Sequence, residues 1–389
     1  MSCLSRHATS IVNKYTFLLT TFTIYAIMFI MSTKKLVGLS EIAGMVEPPV
    51  SRQAVANWRI RYDDFPKPVE NLQSGAVWDA DQIQDWLDQK SGRAPIVISF
   101  INLKGGVAKT TTSVAVAEVL ASFHRKHVLF IDLDPQTNAT INLIGEGEWK
   151  KRDEAGLTLA QLFNDRLEPH RPPRFSIGDA IVHGASRIGE GISRLDLLPS
   201  SIEFIDIQEK LPFVAMQGNY DQNPQEILRQ ALQPVIDRYD YVIIDCPPSL
   251  GIVTKNGLRI STHYAIPTIP DIVSTWGIFQ IVTNIDRFSE SIGRQIKPIG
   301  IIATKVNGVN TLHSRILPEL RDGRLFQGKS TDLKQPPLFS TTIQEATATS
   351  RGADFDANVG TFKDKYGPNA DKVKTLTAEI IERCRVTKS

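Results

Sequence analysis

Residues Ile96 to Thr112 read IVISFINLKGGVAKTTT, an apolar run that breaks into a glycine loop ending in Lys-Thr-Thr. Ile96 to Ile101 is rich in β-branched residues, which predicts a buried parallel strand. From Lys109 the chain continues KTTTSVAVAEVLASFHRK, without Gly or Pro, and reads as a helix. A strand, a glycine loop and a helix N-terminus form an anion site, because backbone N–H groups converge there and the helix dipole favours negative charge. In such a loop the lysine reaches the β/γ-phosphates of a nucleotide and the next hydroxyl ligates Mg²⁺, roles that fall to Lys109 and Thr110.

The strict pattern G-x-x-x-x-G-K-[ST] fails twice, with Leu103 at the first Gly and Ala108 at the second. The stretch KGGVAKTT instead resembles the ParA-type deviant Walker ATPases, which include MinD-like proteins. The resemblance implies a P-loop NTPase, α/β with a doubly wound, mostly parallel sheet, using ATP and Mg²⁺. Its nucleotide contacts would be Lys104, Gly105, Gly106, Val107, Ala108, Lys109, Thr110 and Thr111. The extra lysine, Lys104, would reach phosphates bound by a second subunit, so that ATP joins a homodimer. Ala108 still supplies an N–H, but its methyl is expected to be tolerated only at negative φ.

Beyond Ile96, apolar strands alternate with amphipathic helices, as in a doubly wound sheet. HVLFID (His127 to Asp132) is the second predicted strand and runs into LDPQTNAT. The resemblance places this segment against the γ-phosphate, with Asp134 orienting the attacking water and Asp132 supporting the Mg²⁺ shell. Lys104, Lys109 and Asp134 are then the implied catalytic set. YDYVIIDCPPSL (Tyr239 to Leu250) resembles a Walker B strand, with Asp245 holding Mg²⁺ opposite Thr110. Further strands are predicted at Tyr264 to Ile269, Ile299 to Lys305 and Pro337 to Ile343. RLDLLPSSIEF also resembles the family, with packing as its expected role. Asn307 resembles the adenine-contacting position, and Thr342 to Arg351 the late segment near the base. Glu146 to Arg194 is polar and Pro/Gly-rich, a variable excursion with one helix, TLAQLFNDRL.

The chain before Ile96 has a different logic. Residues 1–33 hold the uncharged run YTFLLTTFTIYAIMFIM (Tyr15 to Met31). A start at Met31 is the preferred reading, a membrane or targeting segment the alternative. Residues 34–92 form a small module. Ser40 is expected to cap a helix SEIAGMV, and Ser51 a second, SRQAVANWRIR, with Ala54, Val55 and Trp58 inward. A hairpin with Gly75 in its turn and a third helix opened by Asp79 complete it. This pattern is similar to winged helix-turn-helix modules of the MerR and phage-excisionase kind. Arg52, Gln53, Asn57, Arg59 and Arg61 would face DNA, and a docking or dimerisation module is the other reading. The ATPase domain is assigned to 95–389.

Forty-four Lys and Arg against 42 Asp and Glu leave a net charge of +2, so any nucleic-acid surface must be local. Arg287, Arg294, Lys297, Arg315, Arg321 and Arg324 are available for phosphate contacts in the C-terminal half, or as solvated helix faces. Cys3, Cys246 and Cys384 lie far apart without a C-x-x-C, which argues against disulfide, zinc and iron–sulfur frameworks. The last helix, AEIIERCRVTKS, carries Ile380, Ile381 and Cys384 on one face and reads as core rather than a membrane anchor. The resemblance then implies a cytoplasmic, nucleoid-associated partition ATPase, binding DNA non-specifically as an ATP-bound dimer and triggered by a ParB-like activator. A nucleotide-switched transcriptional regulator and a positioner of protein cargo are the alternatives.

Overall fold

The computed structural model describes residues 35–46, 49–62, 65–72, 75–90, 94–168, 170–216, 223–327, 333–345 and 359–386. The apolar run Tyr15 to Met31 and the end of the late segment at Arg351 lie outside the described residues. The chain divides into two compact units, Met1–Arg93 and Ala94–Ser389.

In the first unit, helices Leu39–Gly44, Arg52–Arg61 and Ala80–Lys90 accompany a three-stranded sheet. Its strands are β1 (Leu36–Val37), β2 (Glu70–Leu72) and β3 (Gly75–Asp79), in the order β1-β3-β2 and antiparallel. Val37, Ile42, Val55, Trp78, Ile83 and Trp86 form the core. Ser51 caps the second helix, its Oγ accepting from the Ala54 N–H at 3.2 Å. Ser40 is not the first cap. The Glu41 carboxylate reaches back to the Gly38 N–H at 3.0 Å, so Gly38 is the cap and Ser40 falls inside the first turn. Asp79 ends β3, where it pairs with Leu36, and directly precedes the third helix, Ala80–Lys90, as expected.

The second unit is built on a parallel sheet of β4 (Ile96–Phe100), β5 (Val128–Asp132), β6 (Leu195–Leu198), β7 (Tyr241–Asp245), β8 (His263–Thr268) and β9 (Lys297–Ala303). The order is β6-β5-β7-β4-β8-β9, every pair parallel. Alternation along each strand sends residues to opposite faces. Val97, Leu129, Ile131, Val242 and Ile244 pack on one face with Phe163, Phe204, Leu228, Leu258 and Ile281. Ile98, Phe100, Phe130 and Ile243 pack on the other with Val116, Leu120, Leu376, Ile380 and Cys384. The last helix is therefore core on that face, and Ile381 packs beside it. No helix among the described residues is long and apolar enough to cross a membrane.

Pro337 to Ile343 is not a strand. Isolated bridges join it and the next residue to β9 and the turn beyond, Leu338 to Ile301 and Gln344 to Val306, through backbone bonds at Pro337, Phe339 and Ile343. Arg383 fills the place of further pairing, its guanidinium donating to the carbonyls of Ile299, Pro337 and Leu338 at 2.8, 3.2 and 2.9 Å. Pro336 and Pro337 have no N–H to offer a ladder. Arg294 is likewise engaged within the fold, donating to the carbonyls of Ser261 and Arg259 at 2.7 Å each.

Candidate functional site

β4 and β7 end together, with Phe100 opposite Asp245, and β5 and β7 end with Asp132 opposite Asp245. The loop 102–108 leaves β4 at this edge and feeds the helix Lys109–Ser122. A sheet edge where neighbouring strands send their helices to opposite faces is the place such folds put a ligand. A cavity of about 400 Å³ opens there, lined by the loop from Lys104 to Thr111 together with Asp134, Gln136, Asn138, Asn142, Pro248 and Lys305. A Cβ placed on Gly105 or Gly106 would meet nothing within 4 Å, so open space lies beside both glycines.

The two lysines of the loop have different surroundings. Lys109 is buried, its Nζ 3.1 Å from Asp245 Oδ1 and 3.6 Å from Asp134 Oδ2. Burial alone would lower its pKa, but Asp245 and Asp134 outweigh this and hold it above the usual lysine value. Lys104 stands at the rim with its side chain 38% exposed, bonded to Asp271 Oδ2 at 2.9 Å and Ser274 Oγ at 3.0 Å. Asp271 caps the helix Ile272–Ser291 by accepting from the Ser274 N–H. Burial works against it, yet that N–H and Lys104 hold the Asp271 carboxyl below its ordinary range.

The Thr110 hydroxyl donates to Asp245 Oδ2 at 2.6 Å, so two of the three residues assigned to Mg²⁺ touch. Asp132 does not line the cavity. Its Oδ2 accepts from the Thr140 N–H and hydroxyl at 2.9 and 2.7 Å, and its Oδ1 from the Asp134 N–H at 3.1 Å. It folds the turn that presents Asp134. Ser200, from the LPSS segment after β6, braces the same turn by donating to the Asp134 carbonyl at 2.8 Å. Burial pushes the Asp132 carboxyl up to about 7, and the Asp245 charge adds to it. Lys109 sits between the carboxylates of Asp245 and Asp134. Hard oxygen donors at Thr110, Asp134 and Asp245 fit a small divalent cation beside it. No group of three or more acidic, His or Cys side chains among the described residues forms a metal cage by itself. Mg²⁺ characteristically takes one or two carboxylates and completes its shell with water and substrate phosphates.

Ala108 departs from expectation. It sits at φ 57, ψ 29, in the left-handed region, and so carries the strain that a glycine there would avoid. Asn307 folds on its own turn, its Oδ1 accepting from the Val309 N–H at 3.0 Å and its Nδ2 donating to Glu345 at 3.3 Å. Lys305, two residues earlier, lines the cavity. Gln136, Asn138 and Asn142 were also missed by sequence reasoning. Their signal was position, since they lie on the turn and first helical turns after Asp134. In the first unit Arg52, Gln53, Asn57 and Arg59 are exposed on one helix. Gln53 donates to Asn57 at 3.2 Å, and the Arg59 guanidinium lies 4.9 Å from the centre of the Trp78 ring. Arg61 ends that helix.

Sheet order, loop, buried lysine and facing Thr–Asp pair together define a P-loop nucleoside-triphosphate fold. The AAA domain family model matches residues 96–298, and the chain belongs to that family, among its ParA-type members. It is 30% identical to the sporulation initiation inhibitor protein Soj of Bacillus subtilis over 66% of this chain and 94% of that one. It is 31% identical to the chromosome partitioning protein ParA of Myxococcus xanthus over 58% of this chain and 70% of the relative. An uncharacterized protein of Mycobacterium tuberculosis is also 31% identical, and there the chain spans 60% of the relative's length. Among solved structures, apo McdA of Cyanothece is similar in fold, with a TM-score of 0.56 at 20% identity over 74% of this chain and 99% of that one. Cobyrinic acid a,c-diamide synthase of Mycobacterium smegmatis, solved with ADP and magnesium, has a TM-score of 0.53 at 21% identity over 75% and 96%.

Proposed function

We propose that this chain is an ATP-dependent DNA partition ATPase. The observation that carries the reading is the pair of loop lysines, Lys109 enclosed against Asp245 and Lys104 at the rim on a breakable surface pair. Kinship with a chromosome partitioning protein supports it. Lys109 and the N–H groups of the loop hold the phosphates of ATP. Thr110 and Asp245 hold Mg²⁺, which neutralises charge on the β- and γ-phosphates. Asp134, fixed by Asp132 and Ser200, orients the attacking water, since phosphoryl transfer rests mainly on positioning and charge stabilisation. Lys104 leaves Asp271 for phosphates bound by a second copy, closing a homodimer around ATP. That dimer binds DNA non-specifically in the nucleoid, and a ParB-like partner triggers hydrolysis and release.

Lys104→Ala tests the reading. The variant should bind Mg-ATP as a monomer as the wild type does, because a half-exposed pair such as Lys104–Asp271 is worth only about 0–1 kcal/mol to the fold. It should form no ATP-dependent dimer in light scattering. Loss of monomer nucleotide affinity equal to that of Lys109→Ala contradicts the division of labour.

The exposed helix of the first unit favours a second, sequence-reading role, as in a nucleotide-switched regulator. Arg52→Ala with Asn57→Ala is expected to relax sequence preference by about tenfold, since a good base contact discriminates by about 1–3 kcal/mol. ATP-dependent binding to bulk DNA should persist in a competition gel shift. If the wild type has no sequence preference, the module docks a partner instead.

A further inference from the structure

The left-handed Ala108 raises a question of what keeps it there. An L-residue in that region is strained by its Cβ, and the loop would shed that strain if Ala108 were free to turn. Hydrogen bonds bracket it on both sides. On its C-terminal side the Ala108 carbonyl accepts from the Thr112 N–H at 3.0 Å and the Thr112 hydroxyl at 2.7 Å. On its N-terminal side the Val107 carbonyl accepts from the hydroxyl of Thr304 at 2.8 Å, the shorter of that hydroxyl's two contacts, the other being the Thr268 carbonyl at 3.1 Å. Thr112 belongs to the helix that Ala108 caps, and any P-loop helix offers such a bond. Thr304 comes from far away in sequence, just past the end of β9, and is fully buried. Its own N–H bonds to the Thr268 carbonyl at 2.8 Å, which fixes Thr304 to the end of β8.

We propose that Thr304 is a positioning residue of the nucleotide site, whose hydroxyl holds Ala108 in the left-handed conformation and so aims the Ala108 N–H into the phosphate cavity. The peptide between Val107 and Ala108 is planar and trans, so its carbonyl and N–H point in opposite directions. Fastening the Val107 carbonyl inward to Thr304 turns the Ala108 N–H outward, where Ala108 lines the cavity. With glycine at this position the bond would only tidy the loop, because glycine takes positive φ without strain. With alanine it becomes the restraint on which the shape of the cradle depends. Thr304 thus compensates for the residue by which this loop departs from the ordinary motif.

The inference rests on the reading that this loop binds ATP, and a cycle of substitutions separates the two. Thr304→Val keeps the shape and removes the donor, leaving the Val107 carbonyl unpaired. In the native loop it should weaken Mg-ATP binding, measured by titration calorimetry, by about tenfold, equivalent to about 1.4 kcal/mol. Thr304→Ser, which restores the hydroxyl, should bind within about twofold of the wild type. In the Ala108→Gly background, Thr304→Val should cost less than about threefold. Equal losses in both backgrounds, or no loss in either, overturn the proposal. A wild type that binds no Mg-ATP overturns the reading of the site instead, and the restraint is then tested on the nucleotide-free chain. There Ala108→Gly should raise the melting temperature by about 2 °C in the native background and by less beside Thr304→Val. An equal rise in both means that Thr304 does not hold the strained residue.

Discussion

Lys109→Ala is expected to abolish Mg-ATP binding and to lower the stability of the second unit by about 3 kcal/mol. Both effects come from one place. Lys109 is the only ammonium within ion-pair reach of Asp245 and Asp134 among the described residues, and Asp245 is fully buried. Removing one partner of a buried pair leaves the other charge without compensation, which costs about 3–5 kcal/mol, less whatever protonation of the carboxyl recovers. The same deletion takes the charge that would face the β- and γ-phosphates. Titration calorimetry with Mg-ATP reads the first effect and urea unfolding the second. A variant that binds Mg-ATP within threefold of the wild type would show that the loop is not the nucleotide site.

Asp134→Ala is expected to slow hydrolysis by at least about 100-fold while leaving Mg-ATP bound, the range that a positioned acid–base or water-orienting group supplies. Asp134 lies against the cavity, one oxygen toward Lys109 and the other accepting from the Gln136 N–H at 3.0 Å. The side chain therefore both faces the phosphates and shapes its own turn. Asp134→Asn separates these functions, since its amide oxygen can still take the Gln136 N–H. Both variants should accumulate an ATP-bound state that stays on DNA in a gel shift with ATP. Phosphate release at the wild-type rate in either variant would remove Asp134 from the reaction. The Asp132 carboxylate, by contrast, acts through the turn it holds, so its loss should appear first in stability.

What could be read along the chain was local. The run Ile96 to Ile101, the glycines and the helix from Lys109 carry their structure within a few residues. So do the strand ending at Asp245 and the Ser51 cap, and all of these lie where the pattern put them. The ParA-type likeness was legible for the same reason, because KGGVAKTT keeps its chemistry in eight consecutive positions.

Tertiary structure decided whatever depended on groups brought from a distance. Asp132 reads in DLDPQ as support for the Mg²⁺ shell, and only the fold shows that Thr140 turns back onto it, so that it also braces the turn carrying Asp134. Lys104 meets Asp271 across 167 positions, and no spacing rule reaches that far. Pro337 to Ile343 has the composition of a strand, yet Arg383 and Glu379 from the last helix take the Leu338 carbonyl and the Ser340 and Thr341 N–H groups. Ala108 is the sharpest case. Its intrinsic preference is for negative φ, and the sequence by itself could only state that condition. The fold reverses it, because hydrogen bonds from Thr112 and from Thr304, 196 residues downstream of Ala108, fix the peptide planes on either side. A local preference of one or two kcal/mol yields when the surrounding packing holds both of its neighbours.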